Sequence, residues 1–252
     1  MEWLNNIGAW FNSIGAWFVG LWNQFYTTMI VDDRYLQIVW GLGNTLTITV
    51  CAILMGIVIG TIVAMIKAKV FSPRNAVLKA VVKILDVIGS IYLTVIRGTP
   101  MILQLMIMYF LILTNISNGV TIACIAFGIN SGAYVAEVIR TGILSVDKGQ
   151  MEAGRSLGLT QTTTMFKIIF PQALKNVLPA LGNEFIALLK ETSVAGYIGI
   201  HDLTKGSDII RTTTYDSFTP LISAGIVYLV LVVGLTSLLG CLERRLRKSD
   251  IR

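Results

Sequence analysis

Runs of apolar residues unbroken by charge dominate this chain. No charged side chain occurs from Gly43 to Ile66 or from Ser217 to Leu242, and the run from Gly98 to Ala136 is longer still. A helix needs about 20 residues to cross a bilayer's hydrocarbon core, so that last run must double back. Thr114-Asn115-Ile116-Ser117-Asn118-Gly119 is the only turn-like composition inside it. A weaker apolar stretch between Lys175 and Lys190 is interrupted by Asn183 and Glu184. The pattern predicts an all-α integral membrane protein with five spans, at roughly 42–67, 98–114, 119–141, 173–196 and 218–242.

Two further segments read as helices of another kind. Ile7-Gly8-Ala9-Trp10-Phe11 is echoed by Ile14-Gly15-Ala16-Trp17-Phe18, and the seven-residue offset puts both Trp-Phe pairs on nearly one face. This predicts an interfacial helix on the outer membrane surface, with a sixth, tilted span as the alternative. No basic stretch precedes it, which argues against a secretory signal peptide. Arg74 to Ile96 alternates apolar residues with Lys79, Lys83 and Asp86 at helical spacing, predicting an amphipathic helix that dips into the membrane before Arg97.

Composition supports the membrane reading. Of 252 residues only 13% are charged and 54% are hydrophobic, and mean hydropathy is +0.73; a soluble domain carries about 25% charged residues. The net charge of +6 is sorted by side and is no nucleic-acid signature. Lys67, Lys69, Arg74, Lys79 and Lys83 follow the first span, Lys148, Arg155, Lys167 and Lys175 lie in the connection between the third and fourth or beside it, and Arg244, Arg245, Arg247, Lys248 and Arg252 follow the last. Acidic residues prevail in the other connections, at Asp32, Asp33, Asp202, Asp208 and Asp216. Positive charge stays cytoplasmic, so the expected topology has the N-terminus outside and the C-terminus inside the cell membrane. Cys51, Cys124 and Cys241 all fall in spans without ligand spacing and read as apolar filler, and lone His201 has no Cys or His neighbour for a metal.

The polar connection 147–171 stands out. Asp147 with Gln150 starts a helix at Lys148, Gly158 ends it, Thr160 caps a second, and Pro171 marks the turn toward the bilayer. Leu157, Leu159, Phe166, Ile169 and Phe170 give this pair of helices an apolar side that no lipid span requires. The shape expected is a knob for a groove in a partner.

Glu152-Ala153-Gly154, three residues, Gly158, nine residues, Ile168 and then Phe170-Pro171 resembles the EAA loop of ABC importer permeases, with Gly154 and Phe170 departing from the usual Ala and Leu. Arg97-Gly98-Thr99-Pro100, Asn130 to Glu137 (NSGAYVAE), Gly182-Asn183-Glu184 and Leu189 to Ser193 (LKETS) resemble the polar amino-acid branch of that family, in its order, across roughly residues 40–245. The resemblance implies a type I importer permease fold. It also implies a second permease chain, identical or related, a cytoplasmic ATPase dimer docked on the loop, and a soluble amino-acid-binding protein outside. Glu152, Ala153, Gly154, Leu157 and Gly158 would form the coupling surface. No GxxxxGK[ST] is present, so ATP and Mg²⁺ would be bound by the partner and this chain would hold no catalytic residue.

An amino acid carried through the membrane needs an acceptor for its ammonium and donors for its carboxylate. Charges within spans suggest function, and the candidates for substrate binding are Arg97, Gly98, Thr99, Met101, Asn183 and Glu184. Thr99 is expected to cap a helix that opens at Pro100, whose free N–H groups would receive the carboxylate. Glu184 needs a cation: the substrate's ammonium, or a fixed partner such as Lys190 or Arg97. Arg97 and Glu137 lie at similar depth and can pair, with Arg140 a second partner for Glu137. The organisation expected is an outer N-terminal segment at 1–40, a membrane region at 41–245 and a basic tail at 246–252. An ion channel or carrier needing no ATPase, and an importer of some other solute, are the alternatives.

Overall fold

The computed structural model describes the backbone of residues 2–68, 70 and 75–248. The basic positions Lys69, Arg74 and Arg252, most of the tail 246–252, and the side chains of Ile7 and Phe11 in the N-terminal echo lie outside the described residues. All regular structure among the described residues is helical: α1 (Glu2–Phe25), α2 (Tyr35–Lys67), α3 (Ala76–Gly98), α4 (Met101–Ile107), α5 (Gly119–Leu144), α6 (Lys148–Ser156), α7 (Gln161–Thr164), α8 (Phe170–Glu191), α9 (Leu203–Thr214) and α10 (Phe218–Lys248). Three of them, at Tyr35–Lys67, Gly119–Leu144 and Phe218–Leu246, are long and apolar enough to cross a membrane alone.

The centre of the bundle is the pair α2–α5, and small residues explain how close it is. Gly56 and Gly60 of α2 face Ser131 and Val135–Ala136, while Gly128 and Gly132 of α5 face Met55 and Ile59. A Cβ on Gly60 would come within 2.8 Å of the Ala136 backbone nitrogen. Lipid offers no hydrophobic drive between helices, so this close backbone approach, with its van der Waals contact, holds them together. Ile48, Leu105, Phe127 and Leu188 fill the core beside the pair.

The second crossing differs from expectation. α4 and its wide-turn continuation Met108–Ile112 make a helical stretch of about 18 Å at 1.5 Å per residue, too short for a hydrocarbon core of about 30 Å. α3 therefore supplies part of the crossing, with a break at Thr99–Pro100 between the two. Asn75 caps α3 by accepting from Val77 N at 3.0 Å. Lys67 at the end of α2 pairs with Asp86 at 3.0 Å, tying α3 to the first span.

The fourth crossing also differs. Instead of a short helix followed by a separate span from 173, helix runs without interruption from Gln161 to Glu191, through the wide π-type turn Met165–Ile169. Pro171 follows directly on that wide turn, so its missing N–H falls where the regular hydrogen-bond pattern is already interrupted. Pro179 and Gly182 do not break α8 either. Gly182 instead admits Leu239 of α10, whose Cδ2 would lie 3.1 Å from an added Cβ. The span stops at Glu191, and a 3₁₀ turn, Thr192–Ile198, takes the chain to Gly199 in the left-handed conformation.

Candidate functional site

The break between α3 and α4 is built around proline. Thr99 is extended, at φ −121° and ψ 148°, as the residue before proline must be. The expected cap is not formed. Pro100 itself occupies the capping position, and its carbonyl accepts from Leu103 N at 3.1 Å and Gln104 N at 3.2 Å. The Thr99 hydroxyl turns back to the end of α3, donating to Val95 O at 2.8 Å.

Gln104 holds the break in shape, a residue not singled out above. Its amide nitrogen donates to Ile96 O at 2.7 Å, Thr99 O at 3.1 Å and Thr99 Oγ1 at 2.8 Å, and its oxygen accepts from buried Asn130 at 3.0 Å. The signal available in the sequence was that Gln104 is the only amide side chain between Pro100 and Thr114. Gly98 has open space where a Cβ would go. Met101 packs against the core.

Arg97 ends α3 beside this break. Its guanidinium lies 3.7 Å from Glu137 and 5.6 Å above the Tyr134 ring. Arg140 grips the same carboxylate through two nitrogens, Nε at 3.1 Å and Nη2 closer still. Both pairings anticipated for Glu137 are thus present, and two guanidiniums share one carboxylate. Arg97 holds the longer contact and stays half-exposed, so it keeps capacity for a second anion.

Asn183 and Glu184 lie on α8, exposed and half-buried respectively, while Ile186, Leu188 and Leu189 turn into the core. Among the described residues Glu184 has no ion pair: Arg97 is engaged with Glu137, and Lys190 lies beside Glu191. The charged group near Glu184 is another carboxylate, Glu191. A carboxylate withdrawn from water without a counter-ion is an open place for a cation. No hydrogen bond or ion pair among the described residues joins Asn183 or Glu184 to Arg97, Thr99 or Met101, so these candidates form two separate groups.

The loop 147–171 has the helices its caps predict. Asp147 accepts from Gly149 N at 2.6 Å and Thr160 from Thr163 N at 3.1 Å. Gly158, at φ +81°, closes α6: its N–H donates to Arg155 O at 3.0 Å and the Leu159 N–H to Gly154 O at 3.1 Å, the paired bonds of a Schellman ending. Gly154 is buried against Thr164, where a Cβ would lie 2.8 Å from Oγ1. Any side chain there would pry α6 from α7. Glu152 and Ala153 are exposed, and Leu157 is 81% exposed. The expected apolar side is smaller than proposed. Ile169 is buried in the core, because the wide turn faces it inward together with Met165, and Phe166 is left exposed against Phe170.

Residues 76–248 match the family described as "Binding-protein-dependent transport system inner membrane component". The chain is 39% identical over 216 residues to a putative glutamine transport system permease protein GlnP of Rickettsia bellii, covering 84% of this chain and 94% of that protein. It is 37% identical over 213 residues to the arginine transport system permease protein ArtQ of Bacillus subtilis, covering 83% and 92%. A solved structure titled as an amino acid ABC transporter with histidines superposes with a TM-score of 0.76 at 40% identity, over 86% of this chain and 97% of that one. An inward-facing MetNI methionine ABC transporter shares the fold at 22% identity, with a TM-score of 0.69 over 84% and 97%.

Proposed function

Because the chain belongs to the family of binding-protein-dependent transport system inner membrane components, we propose that it is the membrane-spanning permease subunit of an ATP-driven importer of polar amino acids. Relatives named for glutamine and arginine transport support that substrate class. The observation that carries the mechanism is the bent pair α6–α7, which presents Leu157 to a partner while α7 runs without a break into α8. A separate cytoplasmic ATPase dimer, binding ATP and Mg²⁺, docks on Glu152, Ala153, Gly154, Leu157 and Gly158. When the ATPases close, their displacement passes along a continuous helix to Asn183 and Glu184.

The distribution of basic residues supports a topology with the loop and the C-terminus in the cytoplasm and the N-terminus outside. A binding protein delivers substrate at the outer face, and a second permease chain completes the pathway. The substrate's ammonium meets Glu184, the carboxylate lacking a fixed cation. Its carboxylate meets Arg97 and the opening at Gly98, Thr99 and Met101, where α4 begins with free N–H groups. These two groups become one site only across the transport pathway, so the substrate itself bridges them.

The test is ATP-dependent uptake of a panel of labelled amino acids by the complex in vesicles. Accumulation of polar amino acids that requires both nucleotide and binding protein is expected; uptake by the chain alone, without nucleotide, would overturn the reading. Glu184→Gln should abolish most uptake with the protein still inserted, and near-normal uptake would remove Glu184 from the site.

A further inference from the structure

The transport reading leaves α1 without a task. Its described side chains from Ser13 to Gly20 are exposed except for half-buried Ile14. Trp3, Trp10, Trp17 and Trp22 are 65%, 60%, 60% and 64% exposed. Contact with the bundle is made at the C-terminal end of α1 and just beyond it, at Gln24, Phe25, Thr28 and Met29. A bare aromatic surface of this length is covered by something.

Three observations identify the cover. The first is where the aromatic rings stand. Trp3, Trp10 and Trp17 recur every seven residues, a spacing that drifts only about 20° per repeat, so they share one line along the helix. At about 100° per residue, Ile14, Phe18, Leu21 and Phe25 lie beside that line and Trp22 closes the far side. Ser13, Ala16, Gly20, Asn23 and Gln24 occupy most of the remaining arc, with Gly15 and exposed Val19 next to the Trp22 edge. An apolar stripe edged on both sides by tryptophan suits a headgroup boundary, where the indole N–H is wet and the ring is not.

The second observation is charge. Glu2 is the only charged residue before Asp32. A helix without Lys or Arg has nothing to attract it to anionic lipid or to an acidic protein surface, and apolar burial alone must hold it.

The third is the elbow that joins α1 to α2. Asp32 and Asp33 take positive φ values of 57° and 53°, which turns the chain sharply between the two helices. The turn is clamped by Arg34 donating to Thr27 O at 2.9 Å, and by Gln24 and Thr28 donating to Asp216 at 3.0 Å each. Asp216 also accepts from Phe218 N at 3.0 Å, at the start of α10. The polar clamp thus lies where α2 and α10 both begin, at one membrane surface, and α1 departs from that level.

We propose that α1 is a lateral arm embedded in the headgroup–acyl boundary of that leaflet, and that its occupant is the interface of zwitterionic phospholipid. At about 1.5 Å per residue α1 is long enough to cross a bilayer, so length does not decide the matter; the two-sided tryptophan edge and the clamped elbow do. The inference rests on the chain spanning a membrane and not on what it transports.

The test uses the full chain with Cys51, Cys124 and Cys241 changed to Ser, reconstituted in phosphatidylcholine vesicles. Nitroxides are placed singly by Ser13→Cys, Ile14→Cys, Ala16→Cys, Phe18→Cys, Gly20→Cys and Leu21→Cys, and collision with oxygen and with a water-soluble nickel chelate gives each depth. Ile14, Phe18 and Leu21 should share one depth, about 5–10 Å below the phosphates. Ser13, Ala16 and Gly20 should meet the chelate, and neither added salt nor anionic lipid should shift the pattern. A depth that reaches the bilayer centre partway along α1 and then returns would make it a sixth crossing. Six equally wet positions would make it an arm in water. Either result overturns the proposal, whereas loss of uptake with this pattern intact would count only against the transport reading.

Discussion

The two ends of the bundle each carry a short helix fastened by glycine, yet they are finished in opposite ways. At the end where α2 begins, α9 is locked to α2 by backbone. Cβ atoms on Gly41 and Gly206 would come within 2.9 Å of Leu203 N and of the Gln37 carbonyl carbon. Asn44 donates to His201 O at 2.8 Å, Leu203 N donates to Thr45 Oγ1 at 3.1 Å, and Asp202, fully buried, caps α9. At the other end α6 rests on Gly154 against Thr164, closes at Gly158 and leaves Leu157 in the open. At the first end the α9–α2 seam closes on itself through backbone approach and side-chain bonds. The other keeps an apolar residue unsatisfied, as a surface does when its partner is another polypeptide.

Substitutions that exchange these characters break or sharpen the contrast. The largest effect is expected at the closed end. Gly206→Val forces a branched side chain into the Gln37 backbone, and overpacking costs about 1–3 kcal/mol and occasionally more. The fraction of folded, monodisperse chain in detergent should fall steeply, and an unchanged melting temperature would refute the account of α9. Gly158→Leu at the open end places a side chain at φ +81°, a cost of about 1–2 kcal/mol. The chain should stay folded while transport-linked ATP hydrolysis is lost, and retained coupling would show that the bend is not read by a partner.

Leu157→Ser should leave stability unaltered, because the side chain touches little. Burying a leucine in a partner is worth about 1.5–3 kcal/mol, so affinity for the ATPase should drop by roughly ten- to a hundredfold, measurable by copurification or titration. The smallest effects are electrostatic. Arg211, and after it Lys205, hold the Asp208 carboxyl below the usual carboxylate range. Its contribution to stability is present above the unfolded pKa of about 4 and is lost as pH falls below it. Burial pushes Asp202 the other way, against the backbone N–H groups of Lys205 and Thr204. Its contribution is greatest at low pH and declines as pH rises above about 4. In melting curves from pH 3 to 8, Asp208→Asn should remove the acid-side loss and Asp202→Asn the decline above it.

Local chemistry made the caps of the 147–171 loop legible. Asp147, Thr160 and Gly158 act within four residues of themselves, so their hydrogen bonds could be read from spacing alone. Ile169 was misplaced because it lies within a wide turn, which changes the direction its residues face, and nothing in the residues Met165–Ile169 announces that turn. The capping role expected of Thr99 failed for a related reason. Whether its hydroxyl turned forward to α4 or back to Val95 depended on Gln104, which already bridges the break and is held by Asn130 from α5. The pairing of Arg97 with Glu137 was legible because arms of similar length around one turn bring both to one depth.

What the chain's order of residues settled alone was the solvent of each segment: a run without charge cannot lie in water for long, nor a cluster of charge in oil, and that cost is felt residue by residue. It also settled the caps, where a side chain reaches only its own neighbours. The tertiary structure decided which helices were to meet and how closely, as where Gly56 and Gly60 of α2 meet α5. It also decided that α4 continues a crossing that α3 begins, and that among the described residues Glu184 is left without a counter-ion while Arg97 has one in Glu137. Those outcomes depend on distances between residues far apart in sequence, which only packing sets.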